Sequence, residues 1–412
     1  MPKPDPNLTR FIGLDIHKKY FVAAGVNRDL IKTLAPQEVP IRQLKRWAEK
    51  TLTPHDAVVL EMTTNTYPIY DALKPIASSV TVVHPPHVAL IVRAQVKTDK
   101  KAAITLAQLH AAGLLPGVWI PPIEVRELRA LIAHRRKLVK LRSIAKCRLL
   151  ALLHSHDIEL PEGFEPFSDD MRPWWEALPV SPLERCCLRS DLDTLDFAGE
   201  QVKKIEQTIK ELAAKDENVP LLVQLPGVGL LNAITILAAI GDIRRFPTSK
   251  QLVGYAGLGA RVHDSGMTHA TGRITKAGRK DLRSAVVEAA NHAVIHHAHW
   301  KAEYERLAPR LGRSKAVIAI ARKMLVVIWH LLAGEKADRF AEPTQVACAF
   351  FAFAHRVTAK NLPGGQTALQ FTRTQMDRLG IGQEVLILPW GAKKFKLPAS
   401  KLAVSENSPL KE

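Results

Sequence analysis

Hydrophobic and polar positions in the first third of the chain alternate between strand-like and helix-like periods. Two apolar stretches, residues 11–16 and 20–26, flank a short polar connection and predict a β-hairpin that opens a sheet. Further helical and strand-like segments follow in turn, at residues 41–51, 57–61, 68–76 and 80–83. Strands that alternate with helices predict a mixed α/β fold, which we assign to residues 1–118.

The hydrophobic period then becomes helical, and the first of two long helices is strongly basic. Between Arg126 and Arg148 there are nine Lys or Arg residues and one acid, Glu127. This face either contacts nucleic-acid phosphates or is simply solvated, and the lack of acidic partners one turn away favours phosphates. With a second helix near 195–214, residues 119–215 predict a helical arm, either an antiparallel coiled coil or a plain bundle. The candidate phosphate contacts are Arg126, Arg129, Arg135, Arg136 and Lys140.

Residues 216–335 predict a second compact domain that is mostly α-helical. Within it, the sequence LPGVG at residues 225–229 precedes an apolar helix and is typical of a helix-hairpin-helix turn. Gly227 and Gly229 would let backbone N–H groups approach a phosphate, although a tight turn with no ligand has the same pattern. The composition then changes, and residues 336–412 predict a C-terminal extension that is partly disordered.

Composition and charge indicate which kinds of partner the protein could bind. The chain has 412 residues, 47% of them hydrophobic, and a formal net charge of +18, which fits a phosphate-rich partner such as DNA, RNA or an anionic membrane. No apolar run reaches the roughly 20 residues that cross a bilayer, and the N-terminus lacks a signal-peptide core. The four cysteines form no CxxC motif, which argues against a disulfide framework and a cysteine zinc site. We therefore expect a cytoplasmic protein with no membrane partner.

Three acids occupy positions where a charge in apolar surroundings needs a partner. Asp15 and Glu61 lie at the ends of buried-type strands, and Asp99 precedes a helix. If these carboxylates converge on one edge of the sheet, they could hold Mg²⁺, which prefers oxygen ligands and often shares its shell with substrate phosphates. Acids at strand ends are also common on ordinary surfaces, so both interpretations remain open.

A serine in the second domain lies among small and basic residues. Ser265 belongs to the sequence Asp-Ser-Gly at residues 264–266, and Arg273, Lys276 and Arg279 follow it. Phosphoryl transfer to a hydroxyl requires access for the phosphate and positive charge for its oxygens, and this segment offers both. Spacing alone is a weak signal, because a Ser-Gly pair is most often only a turn.

Two further groups of side chains are candidates for contacts. His292 and His296 fall on one helical face, but no carboxylate or cysteine stands at ligand spacing, so helix packing or DNA contact is favoured over zinc. Arg322 and Lys323 lie in an apolar helix and are either phosphate contacts or its solvent edge.

Taken together, the motifs resemble one family, the DEDD-type insertion-sequence transposases, which are related to Piv-like DNA invertases and include the bridge-RNA-guided serine recombinases. The resemblance spans nearly all of residues 10–333. Its N-terminal marks are Ile12-Gly13-Leu14-Asp15-Ile16-His17-Lys18, Leu60-Glu61-Met62-Thr63 and Lys97-Thr98-Asp99. Its C-terminal marks are Leu225-Pro226-Gly227-Val228-Gly229, Gly254-Tyr255-Ala256-Gly257-Leu258, Asp264-Ser265-Gly266 and Ile274-Thr275-Lys276-Ala277-Gly278.

The resemblance implies a fold, a reaction and a set of partners. The first domain should be RNase H-like, similar to Holliday-junction resolvases, with Asp15, Glu61 and Asp99 as Mg²⁺ ligands. Ser265 should attack the DNA backbone and form a covalent phosphoserine link. An element-encoded guide RNA should pair with donor and target DNA, so that the protein needs mainly backbone contacts. The resemblance further implies a prokaryotic, nucleoid-associated homodimer that assembles into a homotetramer.

One position departs from the family pattern, which has a fourth acid three residues after Asp99. Here that position is Ala102, so a divalent metal loses a ligand and activity should fall. Natural decay of one element copy and a deliberate substitution that traps a nucleic-acid complex are both open, and the otherwise intact motifs favour the second.

Two other functions compete with an RNA-guided recombinase. A metal-dependent junction-resolving nuclease would hydrolyse DNA with the acids and use Ser265 only structurally. A non-catalytic nucleic-acid-binding protein derived from a transposase would do neither.

Overall fold

The computed structural model describes residues 8–91, 98–265, 268–334 and 337–402. They form two compact units, divided between Pro122 and Ile123. The further division of the second unit at residues 215 and 335 stays a prediction. Lys97, Gly266 and the polar C-terminal stretch from residue 403 lie outside the described residues.

The first unit is a six-stranded mixed sheet with helices, which confirms the predicted α/β class. The strands are β1 (Arg10–Ile16), β2 (Tyr20–Val26), β3 (Lys32–Pro40), β4 (Asp56–Glu61), β5 (Ser79–Val83) and β6 (Gly117–Val118). They lie in the order β3-β2-β1-β4-β5-β6. Strand β1 pairs in parallel with β4, and β4 with β5, whereas the other pairs are antiparallel. The helices are α1 (Leu44–Thr51), α2 (Thr66–Leu73), α3 (Pro85–Ile91) and α4 (Asp99–Ala111).

The central strand β1 is buried on both faces, and its period of two decides what each face carries. Ile12 and Leu14 join a core with side chains of α1 and α2. Phe11 belongs to a separate cluster that includes Ala107 of α4. Because side chains alternate along a strand, Asp15 shares the α4 face with Phe11.

Gly13 allows α4 to lie directly on β1. A Cβ added at Gly13 would be 2.1 Å from the Ala103 carbonyl oxygen and 2.7 Å from the Ala107 nitrogen. Thr98 caps the start of this helix, and its side chain accepts a hydrogen bond from the Lys101 N–H at 3.3 Å. This close packing brings the first turn of α4 to the strand that carries Asp15.

The second unit begins with two long helices that pair antiparallel. Helix α5 (Ile123–Ser155) is followed by the short α6 (Arg172–Glu176) and by α7 (Pro182–Lys215). Ion pairs join Arg135 to Glu206 and Arg148 to Asp191, so residue numbers fall along α7 as they rise along α5. The predicted pair of long helices is therefore present, and its assignment as a coiled-coil arm stays a prediction.

The rest of the second unit shares one hydrophobic core. Residues after 335 belong to it too, since Phe350 and Met376 are buried in the same cluster as Val286 and Ile320. The helices are α8 (Asn218–Val223), α9 (Leu230–Ile240), α10 (Ser249–Tyr255), α11 (Lys280–His296), α12 (Ala298–Leu311), α13 (Arg313–Gly334), α14 (Pro343–Val357) and α15 (Ala368–Leu379). Two hairpins complete it, formed by β7 (Ala260–Ser265) with β8 (Thr268–Ile274) and by β9 (Ile387–Trp390) with β10 (Lys393–Lys396). Short 3₁₀ helices lie at Ile41–Gln43, Asp169–Met171, Ile243–Arg245, Ala359–Asn361 and Pro363–Gly365.

Helix α13 is 22 residues long, and by length and composition it could cross a membrane. Half of its apolar window is buried inside the protein, however, and side chains such as Ile320 and Met324 are completely inaccessible. This is the behaviour of a core helix, so its length alone is weak support for a membrane span.

Candidate active site

Two of the three predicted metal ligands meet where β1 ends beside the start of α4. The carboxylates of Asp15 and Asp99 and the imidazole of His17 each offer one ligand atom, and these atoms lie within 4.8 Å of one another. His17 Nε2 is 3.5 Å from Asp15 Oδ2 and 3.3 Å from Asp99 Oδ2. The structure thus brings together two acids that are 84 positions apart in sequence (99 − 15).

Tyr20, the first residue of β2, orients this cluster. Its hydroxyl donates a hydrogen bond of 2.9 Å to Asp99 Oδ2, and its ring stacks on His17 with centroids 4.6 Å apart. The bond to the carboxylate raises the pKa of the Tyr20 hydroxyl, which keeps it a donor. Burial raises the pKa of the Asp15 carboxyl, the nearby imidazole of His17 opposes that shift, and the charge of Asp99 adds to it. A cation at this place would favour the charged form of Asp15.

Glu61 ends β4, the strand next to β1. The parallel register pairs Leu14 with Leu60, so Glu61 stands one position beyond that pair, as Asp15 does on its own strand. Among the residues that the structure describes, Glu61 is not part of the cluster at metal-ligand spacing. Glu61 therefore lies at the same end of the parallel strands as Asp15, but its carboxylate is farther from the cluster than the spacing of ligands around one ion.

Ala102 is in the first turn of α4, three residues after Asp99. Side chains three apart on a helix are neighbours on one face, so position 102 lies beside the cluster. The sequence pattern expects a carboxylate at this position, and here a methyl group takes its place.

His17 is the functional residue that the sequence analysis did not single out. It follows Asp15 by two positions, and its backbone N–H binds the Tyr20 carbonyl at 2.9 Å in the turn between β1 and β2. A histidine in a polar turn carries no periodic signal. Its presence within the Gly-Leu-Asp-Ile-His sequence beside Asp15 was the available hint.

Ser265 lies in the second unit, at the end of β7 in a hairpin. The structure describes its backbone, which pairs with Thr268 of β8. Of the basic residues named with it, Arg273 and Lys276 are exposed, and Lys276 has a positive φ of 54°. Arg279 instead binds Asp281, its Nε donating to Oδ1 at 3.0 Å. Two of the three predicted cations near the serine are therefore exposed, and the third is engaged within the chain.

The turn at residues 225–229 packs tightly against α11. Gly227 has a φ of +77°, and a Cβ there would be 2.4 Å from the Ala289 carbonyl oxygen. A Cβ on Gly229 would be 3.2 Å from Nη1 of Arg356. The need for glycine at 227 thus follows from packing alone, and phosphate binding by this turn stays a prediction.

The predicted phosphate contacts on α5 differ in what they touch. Arg129 donates from Nε and Nη2 to the carbonyls of Ala238 and Ala239, at 2.7 and 2.8 Å, and burial lowers the pKa of its guanidinium. Arg135 binds the carboxylate of Glu206. Arg136 and Lys140 are exposed, and Arg126, which is half-buried, has a partner within the chain. Of the five predicted contacts, Arg136 and Lys140 are therefore the ones with exposed side chains.

Most of the remaining candidate residues of the second unit contact other side chains of the same unit. Lys323 forms an ion pair with Glu303, whereas Arg322 is exposed. The rings of His292 and His296 lie 4.4 Å apart, which is side-chain packing along one helix.

Both units contain segments that match models of transposase families. A family model described as Transposase IS116/IS110/IS902 family matches residues 219–305, and a transposase model of the DEDD IS110 type matches residues 12–157. The chain is 26% identical over 341 residues to the transposase for insertion sequence element IS1111A of Coxiella burnetii, covering 80% of this chain and 91% of that protein. It is 27% identical over 346 residues to the pilin gene-inverting protein of Moraxella bovis, covering 78% and 95%. It is 25% identical over 347 residues to a probable family 20 transposase of Pseudomonas aeruginosa, covering 81% and 99%.

Both matches are to transposases and together they cover more than half of the chain, with the acidic cluster inside the DEDD-type match. The chain belongs to the IS110/IS116 family of insertion-sequence transposases. The resemblance to insertion-sequence transposases is confirmed, and the chain is similar to pilin gene-inverting proteins as well. The sheet is consistent with the RNase H-like domain that the resemblance implies.

Proposed function

We propose that this transposase cuts and rejoins DNA through a metal-dependent acidic site in its first unit and a covalent link to Ser265. The observation that carries the proposal is the convergence of Asp15 and Asp99 at the junction of β1 and α4. The presence of Ser265 within the second family match, residues 219–305, supports its role as nucleophile.

The residues of the cluster fit a divalent cation. Two carboxylate oxygens and one imidazole nitrogen converge within 4.8 Å, and Glu61 ends the adjacent strand. In an active family site with four acids, the ion we expect is Mg²⁺, which would withdraw charge from a bound phosphate when present. Asp15 and Asp99 would hold it, and Tyr20 would keep the Asp99 carboxylate in position through its hydrogen bond.

The reaction at Ser265 stores the energy of the broken backbone bond. Ser265 Oγ attacks the phosphorus of a DNA phosphodiester, a new O–P bond forms, and the bond to one deoxyribose oxygen breaks. The hydroxyl proton leaves as Oγ attacks, and the released deoxyribose oxygen takes up a proton. A hydroxyl of another strand then attacks the phosphoserine and frees Ser265. Exposed Arg273 and Lys276 supply positive charge for the phosphate oxygens.

We further propose that an element-encoded guide RNA selects donor and target DNA and that homodimers assemble into a homotetramer in a prokaryotic cytoplasm. The formal charge of +18 supports binding to nucleic-acid backbones, which is the part of recognition that pairing by RNA leaves to the protein. The antiparallel pair α5 and α7 offers an extended helical surface for a second copy.

The exposed charge of α5 makes a prediction about salt. Replacing Arg136 and Lys140 with Gln is expected to weaken duplex binding about tenfold and to lower the slope of log affinity against log salt by roughly 2, since each phosphate contact contributes about 0.9. The measurement is a fluorescence-anisotropy titration at several salt concentrations. The matched control replaces exposed Lys203 and Lys204 of α7 in the same way. Equal slopes for the two double variants would exclude this face as a phosphate contact.

The experiment that tests the proposed function looks for a covalent protein–DNA band on a denaturing gel. The chain carries Ala102→Asp and is mixed with its element's RNA, Mg²⁺ and labelled donor and target duplexes. We expect a band that Ser265→Ala removes and that Ser284→Ala, at an exposed serine of α11, retains. Cleavage without a band would instead support the junction-resolving nuclease. Binding with no cleavage under any of these conditions would support a non-catalytic protein.

A further inference from the structure

The imidazole of His17 faces both acids of the cluster at distances longer than a normal charged hydrogen bond. Its Nε2 is buried, has no hydrogen-bond partner, and stands 3.5 Å from Asp15 Oδ2 and 3.3 Å from Asp99 Oδ2. Hydrogen bonds between nitrogen and a carboxylate are shorter, about 2.7 to 2.9 Å when charged. The nitrogen thus lies farther from each carboxylate than such a bond requires, with all three ligand atoms within 4.8 Å of one another.

These separations match neighbouring ligands of one small cation. Bonds of about 2.0 to 2.2 Å to nitrogen and oxygen place adjacent ligand atoms roughly 2.8 to 3.6 Å apart, from octahedral to tetrahedral geometry. Both measured distances, 3.3 and 3.5 Å, fall inside that interval, towards its tetrahedral end.

We propose that His17 is a direct metal ligand and that this site, with Ala102 in place of an acid, prefers a divalent transition ion such as Mn²⁺, Co²⁺ or Zn²⁺ over Mg²⁺. The inference rests on the proposed function in taking this cluster as the metal centre, and it adds a ligand and a metal preference. Imidazole nitrogen suits transition ions and zinc, whereas Mg²⁺ is bound mainly by oxygen. Loss of a carboxylate at 102 removes an oxygen ligand and shifts the balance further towards nitrogen.

Tyr20 supports this arrangement from the side. Its hydroxyl binds Asp99 Oδ2, the same oxygen that faces His17, at 2.9 Å. Its ring stacks on the imidazole with an interplanar angle of 23°. One residue thus fixes the orientation of two proposed ligands, which is the usual role of groups just outside a metal's ligands.

The test measures metal binding without DNA, using Co²⁺ as a spectroscopic probe and Mg²⁺ as competitor. The full chain is titrated with Co²⁺, the visible absorption bands are followed, and Mg²⁺ is then added in about a hundredfold excess. We expect His17→Ala to lower the affinity for Co²⁺ at least about tenfold and to leave that for Mg²⁺ unchanged. His134→Ala, which removes an exposed imidazole from α5, is the matched control and should change neither affinity.

Two further variants separate the possible outcomes. Asp99→Asn should weaken Co²⁺ and Mg²⁺ together, and Ala102→Asp should strengthen Mg²⁺ relative to Co²⁺. Displacement of Co²⁺ by an equimolar amount of Mg²⁺, before the excess is reached, would overturn the metal preference. Unchanged Co²⁺ binding in His17→Ala would overturn the role of His17 as a ligand. Neither result depends on Ser265, so the covalent mechanism can fail while the metal preference stands, and the reverse.

Discussion

Ala102→Asp is expected to raise metal-dependent DNA cleavage by at least about a hundredfold over the unaltered chain. Position 102 follows Asp99 by three residues in the first turn of α4, so a carboxylate there lies on the face that carries the cluster. A further anionic ligand increases the occupancy of the ion and holds it in a fixed position against the phosphate. The measurement is the rate of strand cleavage on cognate duplexes with guide RNA and Mg²⁺.

The control for this gain must add the same charge to the same helix at another place. Gln108→Glu does so near the end of α4, and we expect it to leave the cleavage rate within about twofold. If both variants raised the rate equally, the gain would reflect charge in general rather than a restored ligand. If neither did, the loss of the acid at 102 would not explain an inactive chain.

The buried strands of the first unit could be predicted from the sequence because burial leaves a pattern. Strands β1, β2, β4 and β5 are apolar runs of the kind that central strands require. Strand β3 was missed because only Val39 of its nine residues is buried. An edge strand of this kind is held by backbone pairing with β2, for which side-chain periodicity gives no signal.

Some basic residues of α5 that were predicted to contact phosphates bind partners that are distant in sequence. The sequence shows that α5 lacks acids one turn away, yet Arg135 finds Glu206 on α7, 71 residues later. Arg129 satisfies carbonyls at the end of α9, more than 100 residues later. Local spacing cannot reveal such partners, so it overstates the charge left for phosphates.

The sequence pointed to the acids of the candidate site but not to the residues beside them, because these come together only in the fold. Asp15 and Asp99 were found because each acid adjoins apolar segments, and the fold then brings them together. His17 and Tyr20 complete the cluster through a turn and a strand start, where neither period nor composition sets them apart. Their contacts with Asp99 depend on how closely α4 packs on β1, and the sequence does not show that distance.

Gly13 is the position at which α4 lies directly on β1. Gly13→Ala is expected to destabilise the first unit by about 1 to 3 kcal/mol or more, because the new Cβ meets backbone atoms of α4 that no rotamer change can move. The nearest is the Ala103 carbonyl oxygen at 2.1 Å. Helix α4 must shift outward, and Asp99 in its first turn moves away from Asp15. We therefore expect weaker binding of Co²⁺ at temperatures where the variant is still folded.

Gly117→Ala, in β6 of the same sheet, is the matched control. Its Cβ would meet the Thr81 Cγ2 atom at 3.3 Å, a side-chain methyl group that can yield by a small movement. Thermal unfolding and Co²⁺ titration of the two variants then compare the same added methyl group against backbone and against side chain. We expect a clear loss of stability and metal affinity only for Gly13→Ala. Equal behaviour of the two variants would mean that the approach of α4 to β1 does not set the geometry of Asp15 and Asp99.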